Sequence, residues 1–268
     1  MTNKRLSNNL NGITGITCVE YGIDKNNSNQ TYGCFVIEPL NTGQGLTLGN
    51  SLRRTLLTDL TGFAISGVRI NDLPHEFALI PGLREDCLEI LLNLKEIIFK
   101  TAFDLSISKI QGFLNIKGPI ILTAGLFKLP KNLIQILNPN QYLGTIVDSN
   151  EIYIEIDIES GKGYRLSEEN QSQNSEKIVS PNKPTTLYID ASFMPVKKVD
   201  YKIRLINDTK GNIKESLTLD IWTNGSITPQ RALQEAIKIL LNLYYPLLVN
   251  SEFLALSDEY QSLKKKIY

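Results

Sequence analysis

The chain has 268 residues, 42% hydrophobic and 21% charged, which suits a folded protein of one or two domains with a full core. Its 28 basic and 28 acidic residues cancel, so it lacks the basic excess of proteins that grip nucleic acid through phosphates and should not bind DNA tightly alone. No apolar run is long enough to span a bilayer, the polar start is no secretory signal and holds too little Arg for a transit peptide, and Cys18, Cys34 and Cys87 with the single His75 argue against a Cys/His zinc site and fit a reducing compartment.

Residues 15–23 and 31–38 alternate as strands, joined by the polar loop "DKNNSNQ", with Pro39 closing the second. Residues 45–60 read as a helix. Leu48, Leu52 and Leu56 recur every four residues, and Leu57 and Leu60 widen the stripe. A strand follows at 63–70. "REDCLEILLNL" then predicts a second helix, with Leu83, Cys87, Leu91 and Leu94 on one face and Glu85 and Asp86 in its first turn. From 96 to about 158, short apolar runs broken by Gly, Pro and Asn predict a sheet with turns. Residues 167–184 are polar and read as a mobile loop. Strands return in "TTLYIDASFMPVKKVDYKIRLIND" and "KESLTLDIWTN", with a turn at 207–214. The last strong helix takes Thr228 as N-cap and Pro229 as its first residue. Ala232, Leu233, Ala236, Ile237, Leu240, Leu241 and Tyr244 give it a broad apolar face, and Pro246 ends it. That face is wider than one sheet surface needs, so part of it could meet a second chain. In the tail, Phe253, Leu256, Tyr260, Leu263 and Ile267 repeat at spacings of three and four, an amphipathic-helix pattern.

The strand–glycine–helix order at 35–57 looks like a phosphate cradle. A dinucleotide fingerprint needs Gly-x-Gly-x-x-Gly, however, and after Gly43 and Gly45 the third glycine comes one residue late, at Gly49. The P-loop's Gly-Lys-Ser/Thr ending is also missing. Gly43 and Gly45 read best as turn and helix-entry residues. Gly49, inside the helix, costs about 1 kcal/mol relative to Ala and makes sense if another helix crosses closely. "GKGYR" at 161–165 reads as a turn between strands. His75 beside Glu76 invites acid/base chemistry, but no nucleophile motif accompanies the pair, and a lone loop histidine is more often structural. Arg53 and Arg54 lie about 100° apart on their helix, so they cannot do the same job. A solvated face and a partner's carboxylates remain the two readings. Glu85 and Asp86 are adjacent and diverge, which disfavours a two-carboxylate site. No metal or cofactor motif stands out.

Five blocks carry a resemblance: "EPLNTGQGLTLGNSLRRTLL", "HEFALIPGLREDCLEILLNLKEI", "GKGYR", "DASFMPVKKVDY" and "WTNGSITPQRAL". In this order, over about residues 15–248, they resemble the alpha subunit of bacterial-type multisubunit DNA-directed RNA polymerase, and "HEFALIPGLREDCLEILLNLKE" and "FMPVKKVDY" are of the cyanobacterial or plastid kind. The abundance of Asn, Ile and Lys suits an AT-rich organelle genome. The expected setting is the plastid (chloroplast) stroma, with the cyanobacterial cytoplasm as the alternative.

The resemblance implies an α+β fold of discontinuous two-domain architecture. A dimerisation domain, 1–61 and 195–250, would carry an inserted mostly-β domain at 62–194, with 251–268 as a tail and no C-terminal DNA-reading domain. That tail would be a linker remnant or a helix packed on a neighbour, and its apolar stripe favours the second. The helices at 45–60 and 229–245 of two copies would form a four-helix interface through Leu48, Gly49, Leu52, Leu56, Leu233, Ala236, Ile237, Leu240 and Tyr244. The homodimer would scaffold assembly, one copy receiving the beta subunit and the other beta-prime, with sigma met indirectly and DNA only through the assembled enzyme. By resemblance Arg54 and Leu57 face beta, while His75, Glu76, Gly82, Glu85, Asp86 and Asp190 lie on surface near the large subunits. None is expected to be catalytic, and no cofactor, metal or membrane is implied. Two other readings make different demands: a nucleotide enzyme built on Gly43 and Gly45 would bind nucleotide saturably, and a promoter-binding regulator would bind DNA in a salt-sensitive way.

Overall fold

A computed structural model of the chain describes residues 15–23, 30–71, 73–101, 109–130, 132–174, 185–207 and 211–249. The tail pattern through Phe253 to Ile267, most of the loop joining the first two strands, and residues 175–184 of the polar segment lie outside the described residues.

Two hydrophobic cores organise the chain. The first lies in a unit formed by β1 (Gly15–Ile23), an exposed edge strand that adds no residue to the core, β2 (Thr31–Leu40) and α1 (Gln44–Thr58), together with elements from the far end of the sequence. The second unit follows: β3 (Thr61–Ile70), α2 (Cys87–Lys95), β4 (Phe99–Thr101), β5 (Lys109–Lys117), β6 (Ile120–Thr123), β7 (Ile134–Ile136), β8 (Tyr142–Ile146), β9 (Glu151–Lys162), β10 (Tyr164–Arg165), α3 (Ser167–Asn174), β11 (Leu187–Tyr188) and β12 (Ala191–Ser192). The chain then returns to the first unit as β13 (Val196–Asn207), β14 (Ile213–Thr223) and α4 (Pro229–Val249).

The first unit is an antiparallel sheet in the order β1-β2-β14-β13. Period-2 alternation sends Phe35 and Ile37 of β2 and Leu217, Leu219 and Ile221 of β14 to one face, where α1 and α4 cover them. Leu52 and Leu56 of α1 and Ala232, Leu233 and Ala236 of α4 complete this core. At about 1.5–3 kcal/mol for each fully buried large aliphatic or aromatic side chain, this packing holds together segments some 170 residues apart in sequence.

Pro39 does not close β2. The strand runs on to Leu40, because β14 shifts register between Glu215 and Leu217, opposite the proline, where the missing N–H is not needed. α4 begins where its N-cap signal places it: the Arg231 amide donates to Thr228 Oγ1 at 3.3 Å. Pro246 does not end it. The helix runs on to Val249: proline's fixed φ is compatible with a helix, although it has no N–H for the Asn242 carbonyl and its ring crowds that carbonyl.

In the second unit the sheet order is β11-β3-β9-β5, with short ladders β4–β7 and β6–β8 beside it. β9 shows the cause most plainly: Ile152, Ile154, Ile156 and Ile158 are all fully buried, and α2 presents Ile90, Leu91 and Leu94 to the same core. α2 starts later than its apolar spacing suggests. Asp86 is its extended N-cap residue, so Glu85 and Asp86 precede the first turn and Leu83 bridges Ile146 instead of joining the helix face. The segment before α2 runs along β8, with the Arg84 amide donating to the Thr145 carbonyl (3.1 Å) and the Val147 amide to the Gly82 carbonyl (2.9 Å).

Residues 167–174 are a helix, not a loop. Polar groups hold it: Asp190 Oδ1 accepts from the Ser167 amide at 3.0 Å, and buried Asn170 donates Nδ2–H to the Ile189 carbonyl at 2.7 Å. Composition signals loop because this helix docks by hydrogen bonds in place of apolar area.

Phe193 sits at the join between the units. Its ring packs on Gly161 and its carbonyl lies where a Cβ on Gly62 would go, 1.9 Å away, while the Arg165 guanidinium stacks on the ring at 4.9 Å. Gly62 and Gly161 are cross-strand partners, so a flat patch of the β3–β9 ladder lets the returning chain cross it.

Candidate assembly surfaces

The nine residues expected at a helix seam divide into two groups. Leu52, Leu56, Leu233 and Ala236 are buried in the subunit's own core. Gly49 is also buried, and its missing side chain is filled by the Tyr201 ring from β13, with Cδ2 2.9 Å from where a Cβ would lie; the close neighbour in the chain is an aromatic ring, not a crossing helix. Leu48, Ile237 and Leu240 are half-buried and Tyr244 is 56% exposed.

Beyond Leu240, α4 leaves its own core altogether. Leu241, Leu243, Tyr244, Tyr245 and Leu247 are each more than half exposed, and at 100° per residue they span an arc of about 200°, leaving the side that carries Asn242 to solvent. An apolar arc that wide, with no core of its own chain against it, calls for cover from another surface. Leu46 of α1 is exposed as well. Leu243, Tyr245 and Leu247 escape a reading that looks for a single stripe; the signal is the run "LLNLYYPLL" itself, whose only polar residue is Asn242.

The two neighbouring arginines of α1 separate cleanly. Arg53 donates Nε–H to the Val199 carbonyl at 3.2 Å and so braces α1 on β13. Arg54 is exposed, and its guanidinium has no hydrogen-bond or ion-pair partner among the described residues. Leu57, three residues on, is half-buried.

In the insert, His75 is exposed and Glu76 half-buried, with Phe77 (75% exposed) and Leu79 (78%) projecting beside them. No catalytic arrangement surrounds His75 among the described residues. Gly82 is half-buried with φ +83°, and Asp86 is exposed. Glu85 differs from the expectation of a contact surface. It is 8% exposed, accepting from the Thr145 amide at 2.6 Å and from the Tyr142 hydroxyl, with Arg84 Nε 3.4 Å away. Burial alone would raise its carboxyl, but the Tyr142 and Thr145 hydrogen bonds outweigh that and hold it below the usual range. Glu85 is an internal brace between the α2 approach and β8.

Asp190 is the hub of a smaller cluster. Oδ2 accepts from the Tyr164 hydroxyl (2.7 Å) and from Lys95 Nζ (3.3 Å), and Oδ1 caps α3 at Ser167. The Tyr164 hydroxyl and the Ser167 amide hold its carboxyl below the usual range. Burial opposes the charge on Lys95, yet Tyr164 and Asp190 raise its ammonium above its ordinary value. Lys95 and Tyr164 were not singled out by spacing, because 69 and 26 residues separate them from their partners. Among the described residues no group of three or more His, Cys, Asp or Glu is arranged to hold a metal, and no helix is long and apolar enough to cross a membrane.

A family model described as the RNA polymerase Rpb3/RpoA insert domain matches residues 68–194. The DNA-directed RNA polymerase subunit alpha of Pyropia yezoensis is 45% identical over 253 residues, covering 94% of this chain and 76% of the relative. Proteins of the same name from Pyrenomonas salina and Phaeodactylum tricornutum are 49% and 47% identical over 216 and 247 residues. Those matches cover 81% and 91% of this chain, and 65% and 73% of the relatives.

Proposed function

Because the chain belongs to the family of DNA-directed RNA polymerase alpha subunits, a non-catalytic part of a nucleotidyltransferase complex, we propose that it is the dimeric scaffold on which the two large subunits assemble. Two copies meet through α1 and α4. The seam is formed by the residues their own cores leave uncovered: Leu46, Leu48, Ile237, Leu240, Leu241, Leu243, Tyr244, Tyr245 and Leu247. Leu52, Leu56, Leu233 and Ala236 shape the seam from behind by fixing both helices to the sheet. The apolar end of α4 carries this reading. Five large side chains left in water along one helix would forfeit several kcal/mol that a second copy recovers.

One copy receives beta and the other beta-prime. Arg54, charged, forked and without a partner among the described residues, is the group assigned to a carboxylate of beta, with Leu57 beside it. His75, Glu76, Gly82, Asp86 and the surroundings of Asp190 offer further large-subunit contact, to which Glu85 contributes by holding its loop in place. Sigma is met only through the assembled enzyme, and so is DNA, since the chain's charges balance. The relatives come from plastid-bearing algae, and the plastid stroma is the setting assigned, with a cyanobacterial cytoplasm second.

The test is co-expression with the cognate beta subunit. An Arg54→Ala chain should remain dimeric and lose beta. If it captures beta as the unaltered chain does, Arg54 has no such role.

A further inference from the structure

The turn that imitates a phosphate site is filled from within. Glu215, at the start of β14, places one carboxylate oxygen on the Gly43 amide (2.8 Å) and the other on the Gly45 amide (2.8 Å). Gly43 is the N-cap of α1, in a left-handed conformation at φ +89°, and it caps with no side chain; the first turn of α1 contains no acidic residue of its own. The helix start therefore presents bare N–H groups and the positive end of its dipole, and a carboxylate reaches them from 170 residues away.

Three further observations mark the arrangement as built for this anion. Glu215 is only 8% exposed, yet it has no ion pair among the described residues, so backbone amides and the helix dipole are what balance its charge. A Cβ on Gly45 would lie 2.7 Å from Glu215 Oε2, so the glycine leaves the room the oxygen occupies. Glu215 keeps the alternation of β14, on the same buried face as Leu217 and Leu219, which α1 covers, so the strand itself aims its carboxylate at the start of the helix.

We propose that the Gly43–Gly45 turn is an oxyanion cradle whose resident ligand is the chain's own Glu215, and that this internal anion sets the start of α1 on the returning strand. Nucleotide phosphate is excluded because the seat is taken. Glu215 is a positioning residue. It joins the two chain segments of the first unit and fixes the helix that carries Leu48 and Arg54. The cradle rests on its own geometry and does not depend on the assembly role of α1.

The test uses the full chain and acetate as the probe, since Glu215→Ala removes a CH2–carboxylate group that acetate restores. Thermal unfolding of Glu215→Ala should occur at a lower midpoint than the unaltered chain. Acetate should recover part of the loss where chloride at equal ionic strength does not, and the unaltered chain should not distinguish the two salts. A double-mutant cycle supplies a second reading. Gly45→Ala should destabilise the unaltered chain and become neutral or stabilising in Glu215→Ala, where the clash has gone and alanine favours helix. Should Glu215→Ala not fold, Glu215→Gln serves instead, with hydrogen exchange at the Gly43 and Gly45 amides as the readout; exchange should quicken there and stay slow at Leu52. Equal response to acetate and chloride with an unchanged cost of Gly45→Ala, or unchanged exchange in Glu215→Gln, overturns the proposal.

Discussion

Asp157 gives the sharpest test of how the insert is held. Its side chain is 4% exposed, and it accepts from Arg69 Nη1 (2.9 Å) and Nη2 (3.1 Å) and from Gln111 Nε2 (3.0 Å), with Lys109 Nζ at 3.2 Å. These donors come from β3 and β5, so one carboxylate on β9 ties three strands across the sheet face opposite the isoleucine core. Asp157→Asn removes the charge and keeps the shape. Breaking a buried pair costs about 3–5 kcal/mol when the remaining partner is stranded. Here Arg69 retains Glu155 at 2.9 Å and Lys109 retains Glu159 at 3.8 Å, so the expected loss falls to about 2–3 kcal/mol. Urea unfolding followed by far-UV circular dichroism measures it, because the single Trp222 lies in the other unit. The pH dependence gives an independent reading. Burial alone would raise the Asp157 carboxyl, but the Arg69 and Gln111 hydrogen bonds and the nearby cations hold it below its ordinary value. A carboxyl lowered by folding stabilises the fold above its unfolded pKa of about 3.9, and that stabilisation is lost as pH falls through the folded value. The gap between the two proteins should therefore be full near neutrality and narrow below about pH 4. A loss under about 0.5 kcal/mol, typical of a surface change, would refute the network.

Glu85→Ala removes the acceptor of the half-buried Thr145 amide and frees the Tyr142 hydroxyl, at about 1.5–3 kcal/mol for hydrogen bonds to a charged group. Tyr142, raised above its usual value chiefly by the Glu85 hydrogen bond, should then titrate at lower pH, visible as a shift in the ultraviolet titration that Tyr142→Phe abolishes. Gly62→Ala places a methyl group on the Phe193 carbonyl and should cost about 3 kcal/mol or more, read as a lowered thermal midpoint; an unchanged midpoint would contradict the tight crossing at the join.

What the sequence disclosed and what it withheld have the same physical origin. β2, β9 and β14 are legible because each buries one face and alternates accordingly, and the start of α4 is legible because Thr228 and Pro229 act on their own helix. α3 is hidden because Asp190 and Ile189, outside the helix, hold it through Ser167 and Asn170. Pro39 and Pro246 mislead because the chain around each tolerates a missing N–H. Gly43 and Gly45 are the turn and helix-entry residues that their spacing suggests, but nothing in local spacing points 170 residues ahead to the Glu215 carboxylate that their amides hold. Of the two arginines in α1, only the Val199 carbonyl, met in the fold, tells which is committed. The seam residues divide in the same way: periodicity finds the apolar faces of α1 and α4 but cannot apportion them between the chain's own sheet and another surface.

The most direct measurement is the solution mass of the purified chain by size-exclusion chromatography with light scattering, repeated with Leu241 and Tyr245 both replaced by Asn. The unaltered chain should have the mass of two copies down to low micromolar concentration, and the variant should dissociate without unfolding. A single-chain mass for the unaltered protein at high micromolar concentration would contradict the scaffold, because the end of α4 would then stand bare in water.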